Sequence, residues 1–371
     1  MKLPGKHKPQ PEAIDLLPRL ALVCLSNNYG GMEIDAKLLA KRLCNWSESC
    51  IFVVRKGSWL ESQAQLEGIR FSAISMKFNL SLIGGLQIYK VLKENNVNSV
   101  IYFGSSEIKT LHFCINRNIN NFIVRHGTEK SKKKKDIFHQ LSWRKVTAHW
   151  AISEHMLHNV YKIYPTDGRK VFVNYTAQGE KIKSLPLPLE MTEDSAVMKI
   201  AHIGRVEAIK GQFDVLDILI LLRLKGIPAK VSFFGKGRDL ESLMNKVESL
   251  GVSEHVVFEG HVDKPYKYFK DFHVFLYPSY GEGLGNSFNE ALCSGIHCFC
   301  YDNTCFPEYM DLGFDYHMVE TGDKEALANK LEEVWSAKPP QPLGNREVGA
   351  RVFSDAAEIA RLKEVILGAE K

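Results

Sequence analysis

The segment Tyr280-Gly-Glu-Gly-Leu-Gly-Asn-Ser-Phe-Asn-Glu290 brings three glycines and two carboxylates into a short stretch of chain. It follows an apolar run, Val274–Tyr277, that reads as a strand, and Pro278 with Gly281, Gly283 and Gly285 predicts a tight, backbone-exposed turn. With a helix starting at Asn286 or Ser287, such a turn would point unpaired N–H groups at an anion, with the helix dipole assisting. Glu282 stands ahead of that helix and Glu290 roughly one turn inside it. Carboxylates at two depths suit different hydroxyls of one extended ligand, because each oxygen pair accepts two or more hydrogen bonds. The plainer alternative is a glycine-rich loop and a solvated helix face.

A second cluster, His202-Ile-Gly204-Arg205-Val-Glu-Ala-Ile-Lys210-Gly211, directly follows another strand-like run. Arg205 and Lys210 fall at that strand's carboxyl end, before a helix from Gln212, where two cations would neutralise a diphosphate. Each would contribute on the order of a few kcal/mol at the intermediate dielectric of a cleft. Two exposed loop cations are the bland alternative. Nearer the start, Asn28-Tyr-Gly30-Gly31-Met-Glu33 follows the first apolar run and opens a helix, and the glycine pair admits a diphosphate or an acceptor close to the backbone. The spacing is not G-x-G-x-x-G, which argues against a nicotinamide enzyme. His126, in Val124-Arg125-His126-Gly127, lies at a strand end, where a lone histidine is ordinarily structural. Lys130, Lys132, Lys133, Lys134 and Lys135, backed by Arg144 and Lys145, form the most basic run. Such a run is ordinarily a solvated loop; its functional reading is contact with anionic lipid head groups or a lipid-phosphate acceptor, at about 1 kcal/mol per lysine. Without aromatic interleaving or a recognition motif, the run does not point to nucleic acid.

These groups need strand ends and helix starts to hold them, and the chain supplies an alternation of both. Expected strands are Leu20–Leu25, Ser49–Val54, Ser99–Phe103, Asn121–Val124, Trp150–Ser153 and Lys170–Asn174, with helices at Glu33–Leu43 and Leu80–Glu94. Lys181–Asp194, with Pro186 and Pro188, has no period and reads as a linker. The pattern restarts with strands Lys199–Ile203, Ala229–Phe234, Val256–Glu259, Val274–Tyr277 and Ile296–Tyr301. Helices Gln212–Lys225, Leu240–Ser249, Ser287–Ser294 and Glu325–Trp335 lie between and after them. Glu347–Leu367 reads as one helical tail able to cross back to the first half. The fold class is therefore α/β, with domains at 1–183 and 195–345, a linker at 184–194 and a tail at 346–371. Two doubly wound units leave a cleft between the carboxyl ends of their sheets.

Composition narrows the class without naming it. A length of 371 residues favours two cores, and 45% hydrophobic with 25% charged residues are ordinary globular values. The net charge of +5 suits phosphorylated ligands or an anionic surface but also plain enzymes. Eight scattered cysteines complete no zinc pattern and read as free thiols of a reducing cytoplasm. Met1–Pro18 lacks the apolar core of a signal peptide, and no stretch approaches the roughly 20 apolar residues of a membrane span.

Taken together, the motifs resemble the family-4 glycosyltransferases. Gly204-Arg205 with Lys210-Gly211 is similar to that family's phosphate-gripping pair, and Glu282 with Glu290 to its glutamate pair. Phe234-Gly-Lys-Gly237 is similar to its next strand turn, and Phe258-Glu-Gly-His-Val262 to its nucleobase-facing loop, all in the family's order. The resemblance covers the second half well and the first half loosely. It implies a GT-B architecture: two Rossmann-like domains facing across a cleft, with a C-terminal helix returning to the first. It implies a nucleotide-sugar donor, UDP-linked by preference, a glycan or lipid-linked acceptor, retention of configuration and no cofactor. The absence of a D-x-D pair adds an expectation of metal independence. By this resemblance Arg205 and Lys210 bind the diphosphate, Glu290 the ribose and Glu282 the transferred sugar, the main-chain amides of Leu284, Gly285, Asn286 and Ser287 assist, and the backbone near Val262 meets the base. Gly30 and Gly31 match the family's early glycine turn, His126 a histidine facing the cleft, and Glu308 is a further candidate beside it. The implied setting is surface polysaccharide or lipopolysaccharide assembly, in the cytoplasm or peripheral on the inner membrane face. Tyr175, where the family usually has glycine, and His297-Cys-Phe-Cys300 depart from its pattern. A sugar-nucleotide epimerase or hydrolase on the same scaffold, or a non-catalytic nucleotide-sugar binder, are the competing readings.

Overall fold

The computed structural model describes residues 18–47 and 49–368, so the basic stretch ahead of Pro18 lies outside it. The first domain runs β1 (Leu20–Cys24), α1 (Gly31–Trp46), β2 (Ile51–Arg55), α2 (Trp59–Leu66), β3 (Phe71–Ile74), α3 (Leu82–Glu94) and β4 (Ser99–Phe103). It continues with α4 (Ile108–Cys114), β5 (Asn121–His126), α5 (Ile137–Trp143), β6 (Ala148–Ala151), α6 (Glu154–Ile163), β7 (Lys170–Val173) and α7 (Gly179–Lys183). The second domain holds β8 (Met198–Ile203), α8 (Gln212–Leu224), β9 (Ala229–Phe234), α9 (Leu240–Ser249), β10 (Val256–Gly260), β11 (Val274–Tyr277) and α10 (Asn286–Ser294). It ends with β12 (His297–Tyr301), α11 (Glu308–Asp311), β13 (His317–Val319), α12 (Lys324–Ala337), α13 (Asn345–Val352) and α14 (Asp355–Leu367).

Both sheets are parallel, ordered β3-β2-β1-β4-β5-β6-β7 and β10-β9-β8-β11-β12-β13. The chain moves outward from β1 and from β8, then returns to their other side with β4 and β11. Those reversals open crevices at the strands' carboxyl ends, where such sheets take ligands. Parallel strands buried on both faces read as continuous apolar runs: β1, Leu-Ala-Leu-Val-Cys, is buried throughout, as are β11 and β12.

The linker differs from the expectation at its start, because residues 179–183 form α7; only the segment from Ser184 to Val197 has neither helix nor strand. The tail also differs, being two helices. Ser354 breaks it by capping α14 through its side chain at the Ala357 amide, after α13 has packed against α10. There Gly349 is required, since a Cβ would stand 2.3 Å from the Cys293 sulfur. The return to the first domain is as expected. Leu362, Val365 and Ile366 of α14 are buried with Leu20, Leu22 and Phe52 of that domain. Arg42 in α1 meets the buried Glu358 at 2.6 Å, and the Asn174 amide donates to the Glu358 carbonyl at 3.1 Å. Tyr175 packs edge-on against Phe353.

Candidate active site between the two domains

Among the described residues, six helix starts are closed by a side chain; those of α4, α7, α9, α11 and α13 are not, nor are those of α1, α8 and α10. Ser58, Ser81, Asp136, Ser153, Asp323 and Ser354 cap their helices through side-chain oxygens. In contrast, α1, α8 and α10 open on Gly30, Gly211 and Gly285 and take no side-chain cap. These helices follow β1, β8 and β11, the strands at the sheet reversals. In α10 the first hydrogen bond runs from the Asn289 amide to the Gly285 carbonyl at 2.9 Å, so the preceding amides stay available. The α1 start faces the α10 start: a Cβ on Gly31 would lie 3.9 Å from the Asn286 side-chain nitrogen. Two positive helix ends, each equivalent to about half an elementary charge, therefore converge on one place. Glu33, in the first turn of α1, is the carboxylate nearest Gly30.

The loops after β8 and β11 lock together and carry the charged groups. Gly211 has φ of 78°, and a Cβ there would lie 2.0 Å from the Pro278 carbonyl oxygen, so only glycine permits the approach. The Ile209 carbonyl accepts from the Tyr280 amide at 2.8 Å, which fixes the turn that presents Lys210. The Lys210 ammonium then meets Glu282 Oε1 at 2.6 Å. The same oxygen accepts from the Tyr277 hydroxyl at 2.6 Å and the Ser279 hydroxyl at 3.1 Å, leaving Oε2 without a partner among the described residues. Burial, followed by the Glu282 charge, pushes the Tyr277 phenol far up, so it stays a donor. Arg205 is not drawn into this knot; it is largely exposed and pairs with Glu207 at 3.3 Å. His202, beneath Gly204, donates from Nδ1 to the Leu276 carbonyl at 2.9 Å, and burial brings it down to about 4, which keeps it neutral.

Glu290 is buried one turn into α10 and holds Lys181 of α7 at 2.7 Å. Lys181 sits in the stretch that reads as linker, and nothing in residue type or spacing there marks it. Glu290, Lys181 and Val262 share one cavity of about 800 Å³ with Tyr29, Trp59 and Tyr266, so first-domain aromatics complete a wall of the second domain's pocket. Gly283 touches the first domain directly: the Ser153 hydroxyl donates to its carbonyl at 2.6 Å, and a Cβ would stand 3.0 Å from the Gly127 carbonyl oxygen. Glu308 also bridges the domains, accepting from the Glu154 amide at 2.6 Å through Oε2 while Oε1 is buried without a partner. Burial lifts its carboxyl to about 8.

His126 ends β5 one residue ahead of Gly127, which meets Gly283. It is buried, with its Nε2 3.0 Å from His149 Nδ1 and its ring 4.4 Å from Tyr164. Burial and the neighbouring His149 hold it well below the usual imidazole range. It lines a second cavity of about 390 Å³ in the first domain, with Asn28, Arg55, Asn79, Glu107 and Lys130. Lys134 differs from the rest of the lysine run: it is half-buried, 3.4 Å from the Ser105 hydroxyl and over the Tyr164 ring, so it supports the cavity wall. Lys130, Lys132, Lys133 and Lys135 remain exposed. Among the described residues no group of three or more His, Cys, Asp or Glu side chains is placed to hold a metal ion, and all eight cysteines are free.

Comparison with known proteins agrees with this fold. The family model described as glycosyl transferases group 1 matches residues 192–344. The capsular polysaccharide biosynthesis glycosyltransferase CapM of Staphylococcus aureus is 26% identical over 137 residues, 36% of each chain. The curated relatives are matched over only 17–47% of their own length. Likeness of fold extends further. The glycosyltransferase of Rickettsia africae ESF-5 superposes with a TM-score of 0.79 at 15% identity, over 95% of this chain and 98% of that one. HepE of Anabaena, solved in complex with UDP, gives 0.76 at 13% identity over 94% and 100%. The group 1 match is seated on the second of two facing Rossmann-like domains, and the chain has the GT-B fold.

Proposed function

We propose that this chain is a retaining, metal-independent glycosyltransferase. It moves a hexose or N-acetylhexosamine from a nucleoside-diphosphate sugar, with UDP favoured, to a glycan or lipid-linked acceptor. The observation that carries the reading is the convergence of two uncapped helix starts, at Gly31 and Asn286, beside the Lys210–Glu282 pair. Like-signed helix ends and an ammonium gathered together call for an anion, and a diphosphate fits both charge and extent. Val262, Glu290 and the Tyr29–Trp59 edge pair wall the adjoining cavity, which suits a base and ribose. HepE, a protein of the same fold, was solved with UDP, which supports the choice of base. CapM supports an acceptor in surface polysaccharide assembly.

In the transfer, the bond between the sugar's anomeric carbon and the diphosphate breaks as the acceptor oxygen bonds the same carbon on the same face. A donor phosphate oxygen takes the acceptor proton. Lys210, Arg205 and the α10 amides stabilise the departing diphosphate; preorganised donors of this kind need no reorientation as charge develops. Glu282, fixed by three bonds at Oε1, offers Oε2 to a sugar hydroxyl. Glu290 takes the ribose in competition with Lys181, and the cavity beside His126 receives the acceptor. A thermal-shift screen of UDP-, GDP- and ADP-sugars tests the donor, since bound ligand stabilises in proportion to RT ln(1 + [L]/Kd). Product analysis with and without an oligosaccharide acceptor, in EDTA and in Mg²⁺, tests the reaction. Transfer that persists in EDTA is expected; an altered free nucleotide sugar, or loss of transfer restored by Mg²⁺, would contradict the reading.

A further inference from the structure

Helices α3 and α5 carry apolar residues on the side that ought to be polar. In α3, Ile88 and Leu92 face the core, yet Leu82, Ile83 and Leu86 are each about 70% exposed. In α5, Trp143 is buried while Ile137, Phe138 and Leu141 point outward, Phe138 at 76% exposure. A surface helix of a globular protein normally turns charged and polar side chains to water. Among the described residues no other helix exposes three large hydrophobic side chains. The two faces belong to one surface, since α4 packs between α3 and α5. They are held there: the Thr110 hydroxyl of α4 donates to the Asn79 carbonyl ahead of α3, and Lys145 after α5 donates to the His112 carbonyl of α4 at 2.7 Å.

The same region is strongly basic. Residues 76–146 contain 13 Lys and Arg against 4 Asp and Glu, although the whole chain carries only +5. An apolar patch inside such a field has a restricted choice of partners. A second copy of this chain would set two strongly positive surfaces face to face. An anionic bilayer instead offers hydrocarbon to Phe138 and Ile83 and phosphate to Lys132, Lys133 and Lys135.

We propose that the outer faces of α3 and α5, ringed by the exposed lysines of the 130–135 segment, form a docking surface that inserts shallowly into an anionic lipid bilayer. Among the described residues no helix is long and apolar enough to cross a membrane, so attachment is of the interfacial kind. Asn79, which lines the first-domain cavity, lies between the exposed Phe78 and Leu80. The cavity therefore opens beside the docked face, at head-group level. The inference stands on exposure and charge alone and does not depend on the chemistry in the cleft.

Vesicle co-sedimentation of the full chain, without donor or acceptor, tests it. Phosphatidylcholine vesicles with and without about one third phosphatidylglycerol are compared at low salt and at about 0.5 M NaCl, where the Debye length has shrunk to a few ångströms. The native chain should bind the anionic vesicles and keep part of that binding at high salt, because burial of apolar side chains is not screened. Replacing Leu82, Ile83, Ile137 and Phe138 together with Ser should lower the partition coefficient by roughly tenfold or more at both salt levels, with Tm unchanged. Replacing Lys132, Lys133 and Lys135 with Ser should remove only the low-salt gain. A single Phe138→Trp variant reports without disturbing the fold: its emission should shift to the blue on adding anionic vesicles, beyond any shift of the native tryptophans. Absence of native binding, native-like binding by the four-Ser variant, or complete loss of native binding in high salt would each overturn the proposal. So would a native dimer that the four-Ser change converts to monomer, which would assign the face to self-association.

Discussion

Lys210 and Arg205 read alike in the sequence, as two cations past a strand, yet they are held differently. Lys210 is knotted to Glu282 at 2.6 Å, whereas Arg205 is exposed and pairs loosely with Glu207. Alanine at either should lower kcat/KM by about one to three orders of magnitude, the usual cost of losing one charge-stabilising donor. Arg205→Ala should leave Tm untouched, while Lys210→Ala strands a part-buried carboxylate and should lower it as well. The glutamates should separate in a similar way. Glu290→Gln is expected to weaken binding of UDP alone, measured by calorimetry, whereas Glu282→Gln should spare UDP and cut transfer, because its hydroxyl partner arrives only with the sugar. Equal loss of UDP affinity in both would remove this division. Residue types and spacing placed Lys210 and Glu282 at turns that the structure brings together, since a glycine turn between a strand and a helix constrains where its charges point. Lys181 was not legible: its meeting with Glu290 at 2.7 Å comes from packing between distant parts of the chain, which no local pattern encodes.

Elements with long, uninterrupted apolar runs were the readable ones. β4, β9, α9 and β11 fall where the pattern puts them, because a strand buried on both faces or a strongly amphipathic helix leaves one reading. The misses are α2, α4, α5, α6, α7 and α11 with the edge strands β3 and β13, most of them too short to show a period of their own. The β6 strand begins two residues ahead of its expected start, at Ala148, and Ser153 is lost to it as the N-cap of α6, accepting from the Met156 amide at 3.1 Å. The turn between β8 and α8 carries a prediction of its own. Gly211→Ala must relieve a 2.0 Å approach to the Pro278 carbonyl and a left-handed backbone, at a cost of about 2 kcal/mol or more. Denaturant melts should record that loss. UDP affinity should fall with it, because the same turn presents Lys210; a variant as stable as the native chain would show that the two loops part easily.

At the scale of the whole molecule, the two domains meet through packed apolar side chains and a few polar bridges, and among the bridges Glu308 is the one most open to test. The folded chain keeps its proton until about pH 8, while the unfolded chain releases it near the ordinary carboxyl value of 4.5. Folding therefore binds a proton between those values. The stability this carries is complete at the acid end and is lost as pH rises from the unfolded value through the folded one. The native Tm should fall between about pH 5 and about pH 8, and Glu308→Gln, which still offers an oxygen to the Glu154 amide, should flatten that slope. Identical slopes would remove Glu308 as the cause. The architecture itself was legible, because strand and helix alternation interrupted once predicts two doubly wound units, and the α14 return follows from a helical tail beyond the second. How the domains meet was not, since Ser153 and Gly283, or Gly31 and Asn286, lie far apart along the chain. The central claim is that a nucleoside diphosphate binds between those helix starts. Amide hydrogen exchange followed by mass spectrometry, with and without saturating UDP, tests it most directly. Protection should appear in residues 281–290 and 204–211, with a smaller effect at 28–33. Protection confined to the first-domain cavity, or none at saturation, would contradict the account.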